Sequence, residues 1–473
     1  MKKLTRLINL ILGPALFAAV SLLLPKQIFT TPEARIAVAS ITWIGYWWIT
    51  LPVDFAVTAL LPLAINAFFL VADMGSVLSQ YASETIVLLF GASVLSVSWE
   101  ETGLDKRIAL TFLNLVGNRL PAQLVFWFLL STFMSSILPN AVVVAILIPI
   151  AVSMLRYAGE GDIPNSSVGS LVLIIIAWGA GLGGLATPLG GAMNLVVVSY
   201  LEQVTGAEYI YINWVIRFLP IMAVLILTNL IYILLIMPKQ RTLSGSGEFA
   251  AQMKAGMLKM NRDEIICLAL FCIATVAAFT RQLYAPHLPG LKPAYVYIVC
   301  AILSFLIKKS DGTQVMRWSR VQGKISWELL LLFAGGLAVG KMLTGSGADS
   351  MLAAAIQNSG INNTFLLVFV IVAFTLVLSD VTSNTATAAI SMPIVLSMTK
   401  ALNLNPIPYI YVATIGVNLS YSLPTSIRAV PIGYGVPPKL MLKRGAILSV
   451  FVIILMTALG YLLIEYWPAF STA

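Results

Sequence analysis

The sequence predicts an all-α polytopic membrane protein, built from inverted repeats with two re-entrant helical hairpins and two interrupted transmembrane helices. Three observations predict this. The 473 residues are 59% hydrophobic and 10% charged, with a mean hydropathy of +0.94, far more apolar than a water-soluble chain of this length requires. A stretch of the chain recurs at a fixed offset: adding 244 maps Glu84 onto Glu328, Gly103 onto Gly347, Asp105 onto Asp349, Ser135 onto Ser379, Asn140 onto Asn384, Pro149 onto Pro393 and Ile150 onto Ile394. Two hydrophobic segments, 168–201 and 407–436, are too long and too broken by Gly and Pro to be single helices.

The elements follow in order. Residues 1–34 carry an anchor helix at about 5–24, which begins after Lys2, Lys3 and Arg6. No small-residue cleavage site follows it, so it reads as a retained signal anchor. The first repeat spans 35–237, with hydrophobic segments 36–51, 53–72, 84–100, 122–138, 141–157, 168–201 and 214–237. A polar, basic linker, 238–262, contains Ser244-Gly245-Ser246-Gly247 and separates the halves. The second repeat spans 263–473, with segments 263–280, 293–308, 326–343, 363–380, 385–400, 407–436 and 440–466. Runs such as Trp214–Met237 and Leu440–Tyr466 can each cross a hydrocarbon core of roughly 30 Å. Barrel strands would instead alternate over about ten residues.

Charge placement sets the topology. Of the 28 Lys and Arg, twenty fall in segments that alternate membrane sides consistently. Five (Lys26, Arg35, Arg281, Lys292, Lys400) fall in the opposite loops, and three (Arg217, Lys341, Arg428) in or beside hydrophobic segments. The positive-inside rule then puts the N-terminus in the cytoplasm and the C-terminus outside a cell membrane. The net charge of +9 reflects this bias and does not call for nucleic acid. By parity, segment 84–100 runs inward and 326–343 outward, so the repeats are inverted. Inverted repeats mark secondary transporters, whose site lies between the halves near the bilayer midplane.

Segments 122–138 and 141–157 are joined by an uncharged turn at Pro139-Asn140, and the second copy turns at Ser383-Asn384. Backbone exposed at such turns must be satisfied by protein or by a watery cavity, which favours re-entrant hairpins. The interruptions are Gly183-Gly184-Leu185-Ala186-Thr187-Pro188-Leu189-Gly190-Gly191 and Leu423-Pro424-Thr425-Ser426-Ile427-Arg428. Each frees backbone groups at membrane depth. Half-helix N-termini suit carboxylates, and freed carbonyls suit small cations.

At these four elements the sequence resembles the divalent-anion/sodium symporter family of dicarboxylate, citrate and sulfate transporters. Ser383-Asn384-Thr385 matches that family's Ser-Asn-Thr tip, and Gly184-Leu185-Ala186-Thr187-Pro188-Leu189-Gly190 resembles its first unwound segment. The resemblance implies a homodimer of scaffold and elevator-like transport domains, each drawn from both repeats. It places a first sodium site at Ser135, Asn140 and Gly190 and a second at Ser379, Asn384 and Ser426. Substrate carboxylates would meet Asn140, Gly191, Asn384 and Thr385. Amide N–H and hydroxyl groups donate to carboxylates, while amide and backbone carbonyls coordinate sodium. No cofactor is expected beyond sodium as coupling ion.

The chain departs from the family pattern twice. Its first tip reads Pro139-Asn140-Ala141, and its second unwound segment reads Ile427-Arg428-Ala429-Val430. An Arg at mid-membrane costs roughly 2.5–3.5 kcal/mol on insertion scales, so such residues are usually paired or functional. Arg428 has three readings: a fork on a substrate carboxylate, a stand-in for a lost sodium near Asp380, or a residue snorkelling outside the cavity. The resulting expectation is exchange of C4–C5 dicarboxylates (succinate, malate, fumarate or 2-oxoglutarate). The alternative is sodium- or proton-coupled symport of dicarboxylate, citrate, tartrate or sulfate. A passive anion channel fits the paired hairpins less well. An enzyme is not expected, because His287 is the sole histidine and no H-E-x-x-H motif is present. Trp43, Trp47 and Trp48 read as an interfacial belt or dimer contact, and Asn66 and Asn229 as helix–helix glue.

Overall fold

The computed structural model describes residues 2–113, 117–255, 259–308, 312–351 and 363–473, and among these the chain is helical with no strand. Lys2–Leu23 (α1) and Pro32–Thr50 (α2) come first, then Leu61–Phe69 (α3), Glu84–Thr102 (α4) and Leu104–Leu113 (α5). Leu120–Ser135 (α6) and Asn140–Tyr157 (α7) flank the first tip; Ser167–Gly184 (α8) and Ala192–Thr205 (α9) flank the first break. Tyr211–Leu235 (α10) leads to Ser246–Ala255 (α11). Then come Arg262–Phe279 (α12), Pro293–Phe305 (α13), Trp327–Gly345 (α14), Thr364–Val381 (α15), Asn384–Ala401 (α16), Pro406–Asn418 (α17) and Pro438–Tyr466 (α18). Eight helices of the described residues are long and apolar enough to cross a membrane.

Two helices form the centre. Every residue of α8 from Val168 to Gly184 is buried, as is every residue of α17 from Pro408 to Asn418. Both are apolar on all sides, as an interior helix must be. By contrast, Leu4 and Ile11 of α1 and Ile454 of α18 are about 60% exposed, facing where lipid tails solvate them as well as a core would.

Each central helix packs against the helix that leads into a tip: α6 on α8, and α15 on α17. A Cβ on Gly179 would lie 2.1 Å from Ser131 Oγ, and one on Gly416 would lie 2.0 Å from Thr375 Oγ1. Only glycine allows backbones this close. Ser131 and Thr375 are related by the 244-residue offset, so both copies make the same contact.

Local chemistry sets the helix ends. Thr31 caps α2 through Ala34 N–H with Pro32 in the first turn, and Asn261 and Glu264 form a reciprocal capping box on α12. Pro149 and Pro393 sit inside α7 and α16 at matching positions, each removing one helical N–H.

Three expectations are corrected. Segment 53–72 is not one helix but the turn Phe55–Thr58 followed by α3, broken at Ala59-Leu60. Pro62 lacks the N–H needed to continue a helix through this point, and Ala59 is pressed onto α14, where a Cβ on Gly335 would lie 2.7 Å from Ala59 O. The tryptophans do not form a belt: Trp48 is 2% exposed, and Trp47 donates to Asn9 O at 3.2 Å. Trp43 and Trp47 pack α1 on α2, where Gly13 makes room, since a Cβ there would lie 2.2 Å from Trp47 Nε1, while Trp48 packs with Leu332 and Val339 of α14 and Ala389 of α16. Asn66 locks its own turn, with Ala72 N–H donating to Oδ1 at 2.9 Å and Nδ2 donating to Ala72 O at 3.1 Å. Asn229 does join elements, donating to Tyr421 Oη at 3.3 Å.

The linker is also more ordered than its composition suggests. Leu120 N–H donates to Arg241 O at 2.9 Å, and Phe249 of α11 packs on Tyr157. Residues 256–258 of the linker, and 309–311 of the basic loop that includes Lys309, lie outside the described residues.

Candidate functional site

The tips come first. α6 ends at Ser135, and Pro139 turns the chain so that Asn140 opens α7. α15 ends at Val381, and Ser383 caps α16 by accepting Ala386 N–H, so Asn384 and Thr385 open that helix. Asn140, Asn384 and Thr385 are 8%, 6% and 8% exposed, within the protein rather than in a wet loop.

The first break, 185–191, folds around the first tip. Ser135 Oγ donates to Ala180 O at 2.6 Å, and Thr187 Oγ1 donates to Ser136 O at 2.7 Å. Thr187 Oγ1 in turn accepts Gly190 N–H at 2.9 Å. Asn194 Nδ2 gathers the freed carbonyls of Gly184 (2.6 Å) and Thr187 (2.8 Å). A Cβ on Gly190 would lie 2.7 Å from Gly184 O and 2.8 Å from Ser135 O, and one on Gly191 would lie 3.4 Å from Asn140 Oδ1. Ser135, Asn140, Gly190 and Gly191 are therefore brought together. The position that a Cβ on Gly190 would take is flanked by two carbonyl oxygens, a donor type that fits a small hard cation.

The second break, 419–428, folds around the second tip in a related way. Ser379 Oγ shares its hydrogen between Val417 O (2.9 Å) and Asn384 Oδ1 (3.0 Å). Ser135 and Ser379 thus reach the corresponding carbonyl of α8 and of α17. Asn384 Nδ2 donates to Asn418 O at 3.1 Å, and Ser420 Oγ donates to Asn384 Oδ1 at 3.3 Å. Ser426, expected at a cation site, is exposed and has a left-handed backbone (φ 51).

Arg428 occupies the middle of this second group. It is 1% exposed, so it does not snorkel. Its Nε donates to Leu423 O (2.8 Å), Nη1 to Ser420 O (3.3 Å), and Nη2 to Ser379 O (3.2 Å) and Thr425 Oγ1 (2.6 Å). Four neutral oxygens, three from within the break and one from α15, surround one fixed positive charge. With Nε and Nη2 engaged, the guanidinium keeps no edge for a bidentate grip on carboxylate. A sodium ion does not fit where the guanidinium already sits. Asp380 does not form a direct ion pair with it: Asp380 Oδ1 accepts Tyr421 N–H (2.8 Å) and Ser422 N–H (2.9 Å).

One link was not legible in the sequence. Asn418, fully buried, donates to Asn194 Oδ1 at 2.8 Å and so ties one break to the other. A hydrogen-bonded string thereby runs from Gly184 through Asn194 and Asn418 to Asn384 at the second tip, and the Asn140 side chain of the first tip lies against Gly184 at its other end. The N-termini of α7, α9 and α16 open onto it, and their partial positive charge suits an anion.

These features define a multi-pass membrane transporter with a polar site built from two helix tips and two helix breaks. The citrate transporter (CitMHS) family model matches residues 46–416, and the chain belongs to that family. It is 29% identical over 474 residues to the sodium-dependent dicarboxylate transporter SdcS of Staphylococcus saprophyticus, covering 95% of this chain and 90% of that protein. It is 28% identical over 479 residues to the transporter of the same name from Staphylococcus aureus, covering 98% and 91%. The fold is similar to the crystal structure of the Alcanivorax borkumensis YdaH transporter, described as having an unusual topology (TM-score 0.54, 12% identity, 83% of this chain and 88% of that one). The dicarboxylate-transporter resemblance drawn from the tips is borne out.

Proposed function

We propose that this chain is a secondary active transporter of C4–C5 dicarboxylates, working by exchange. The observation that carries this reading is Arg428 held by four oxygens at the second break. A fixed cation there replaces an ion that a symporter would bind and release. A transport domain with a permanent charge crosses most readily when a dicarboxylate accompanies it, and that requirement in both directions is exchange. Substrate carboxylates sit at Asn140, Gly191, Asn384 and Thr385, where amide and hydroxyl donors add to helix N-termini.

The same reading gives inverted halves 35–237 and 263–473, joined by 238–262 and preceded by the anchor 1–34. The tips are re-entrant, and a transport domain slides against a scaffold in an elevator motion. The carrier is a homodimer in the plasma membrane, with its N-terminus cytoplasmic and its C-terminus outside.

A second reading is favoured by the two carbonyl oxygens that flank the missing side chain of Gly190. One sodium ion held by Ser135 O, Gly184 O and Asn140 would make the protein a sodium-coupled symporter, like the relatives named sodium-dependent. Thermal unfolding of the purified protein with succinate separates the two. Exchange predicts stabilisation by succinate in sodium-free buffer, rising with concentration as binding linkage requires. Stabilisation seen only with sodium would support symport.

A further inference from the structure

We infer that Asp380 is the positioning residue for Arg428, acting through the peptide group that lies between them. The inference rests on the reading of Arg428 as a replacement charge and concerns what holds its cage open. The amide joining Ser420 to Tyr421 presents its N–H to Asp380 Oδ1 at 2.8 Å and its carbonyl to Arg428 Nη1 at 3.3 Å. No peptide bond among the described residues is cis, so the N–H and C=O of this peptide point in opposite directions within its plane. Fixing one end therefore aims the other. The carboxylate and the guanidinium oppose each other across an aligned peptide dipole, with no direct ion pair.

Asp380 fixes the next amide as well. Ser422 N–H donates to the same Oδ1 at 2.9 Å, and the carbonyl of that amide, Tyr421 O, accepts Trp178 Nε1 at 3.0 Å. The backbone of Asp380 adds a third tie: its carbonyl accepts Thr425 Oγ1 at 2.8 Å, and Thr425 Oγ1 accepts Arg428 Nη2 at 2.6 Å. An unwound segment has no helical hydrogen bonds to set its carbonyl directions. One buried side chain, 7% exposed, supplies what the helix would have supplied. Among the described residues the Asp380 carboxylate accepts from Tyr421 and Ser422 N–H and, at 3.5 Å, from Ser449 Oγ, and from none of the substrate residues, so its role is indirect.

The test uses full-length protein in proteoliposomes, with succinate exchange as the readout and detergent size-exclusion as the fold control. Asp380→Ala and Arg428→Ala each lower exchange, and the double variant falls no further than the worse single, because both remove one unit. Asp380→Asn, which keeps an oxygen acceptor, loses only about tenfold. Losses that multiply in the double variant overturn the inference. A second readout separates the inference from the reading beneath it. Sodium restores exchange in Arg428→Ala, where four oxygens are left without a cation, but not in Asp380→Ala/Arg428→Ala. Equal sodium rescue in both overturns the positioning role and leaves the cage reading standing. No rescue in Arg428→Ala, with a non-additive cycle, keeps the positioning role and removes the cage as a cation site.

Discussion

Asp380 and Arg428 face opposite ends of the same peptide group, one accepting Tyr421 N–H and the other donating to Ser420 O. The arrangement depends on the shape of the guanidinium as much as on its charge. Nε and both Nη atoms are used at once, which a lysine ammonium cannot imitate. Arg428→Lys is expected to lower succinate exchange at least about tenfold while leaving it indifferent to sodium. Counterflow rates with and without sodium check both parts.

Asn384 is the hub of the second tip. Its side chain meets Ser379 Oγ, Ser420 Oγ and Asn418 O. Asn384→Ala leaves those groups partly unpaired, at about 1–3 kcal/mol each if water cannot replace it. The expected result is loss of transport with a monodisperse, folded protein. Wild-type uptake by this variant would remove Asn384 from the site.

Gly190 tests the first tip independently. Its missing side chain leaves the space between Ser135 O and Gly184 O. Gly190→Ala puts a methyl group there, and overpacking of this kind costs roughly 1–3 kcal/mol. Transport is expected to fall sharply and the melting temperature by several degrees, as differential scanning fluorimetry would show.

Much of this was legible in the sequence. Helices on each side of both tips, and both breaks, follow from hydrophobic runs and from Gly and Pro within them. The 244-residue offset paired Ser135 with Ser379 and Asn140 with Asn384, and the structure gives each serine a corresponding partner. What stayed hidden depends on contacts between distant segments. At Ala59 the close approach of α14 at Gly335 adds to the effect of Pro62, and Trp43 and Trp47 turn inward where Gly13 admits them. Neither cause has a period. The direction of carbonyls in an unwound segment is likewise set by tertiary partners, so Asp380 could be placed near Arg428 but not across a peptide from it.

The Asn194–Asn418 link was equally invisible, because the two positions are not related by the repeat offset. It joins the two breaks inside the protein at 2.8 Å. A double-mutant cycle with Asn194→Ala and Asn418→Ala is expected to show coupling of about 1 kcal/mol in thermal stability. Additive losses would mean that the breaks are held independently.

If Arg428 takes the place of a transported cation, substrate must occupy the carrier in both directions. Labelled succinate uptake into proteoliposomes tests it most directly, using vesicles empty or preloaded with succinate, each with and without a sodium gradient. Exchange gives uptake only into preloaded vesicles, at the same rate with or without sodium. Concentrative uptake into empty vesicles, driven by sodium, would contradict it.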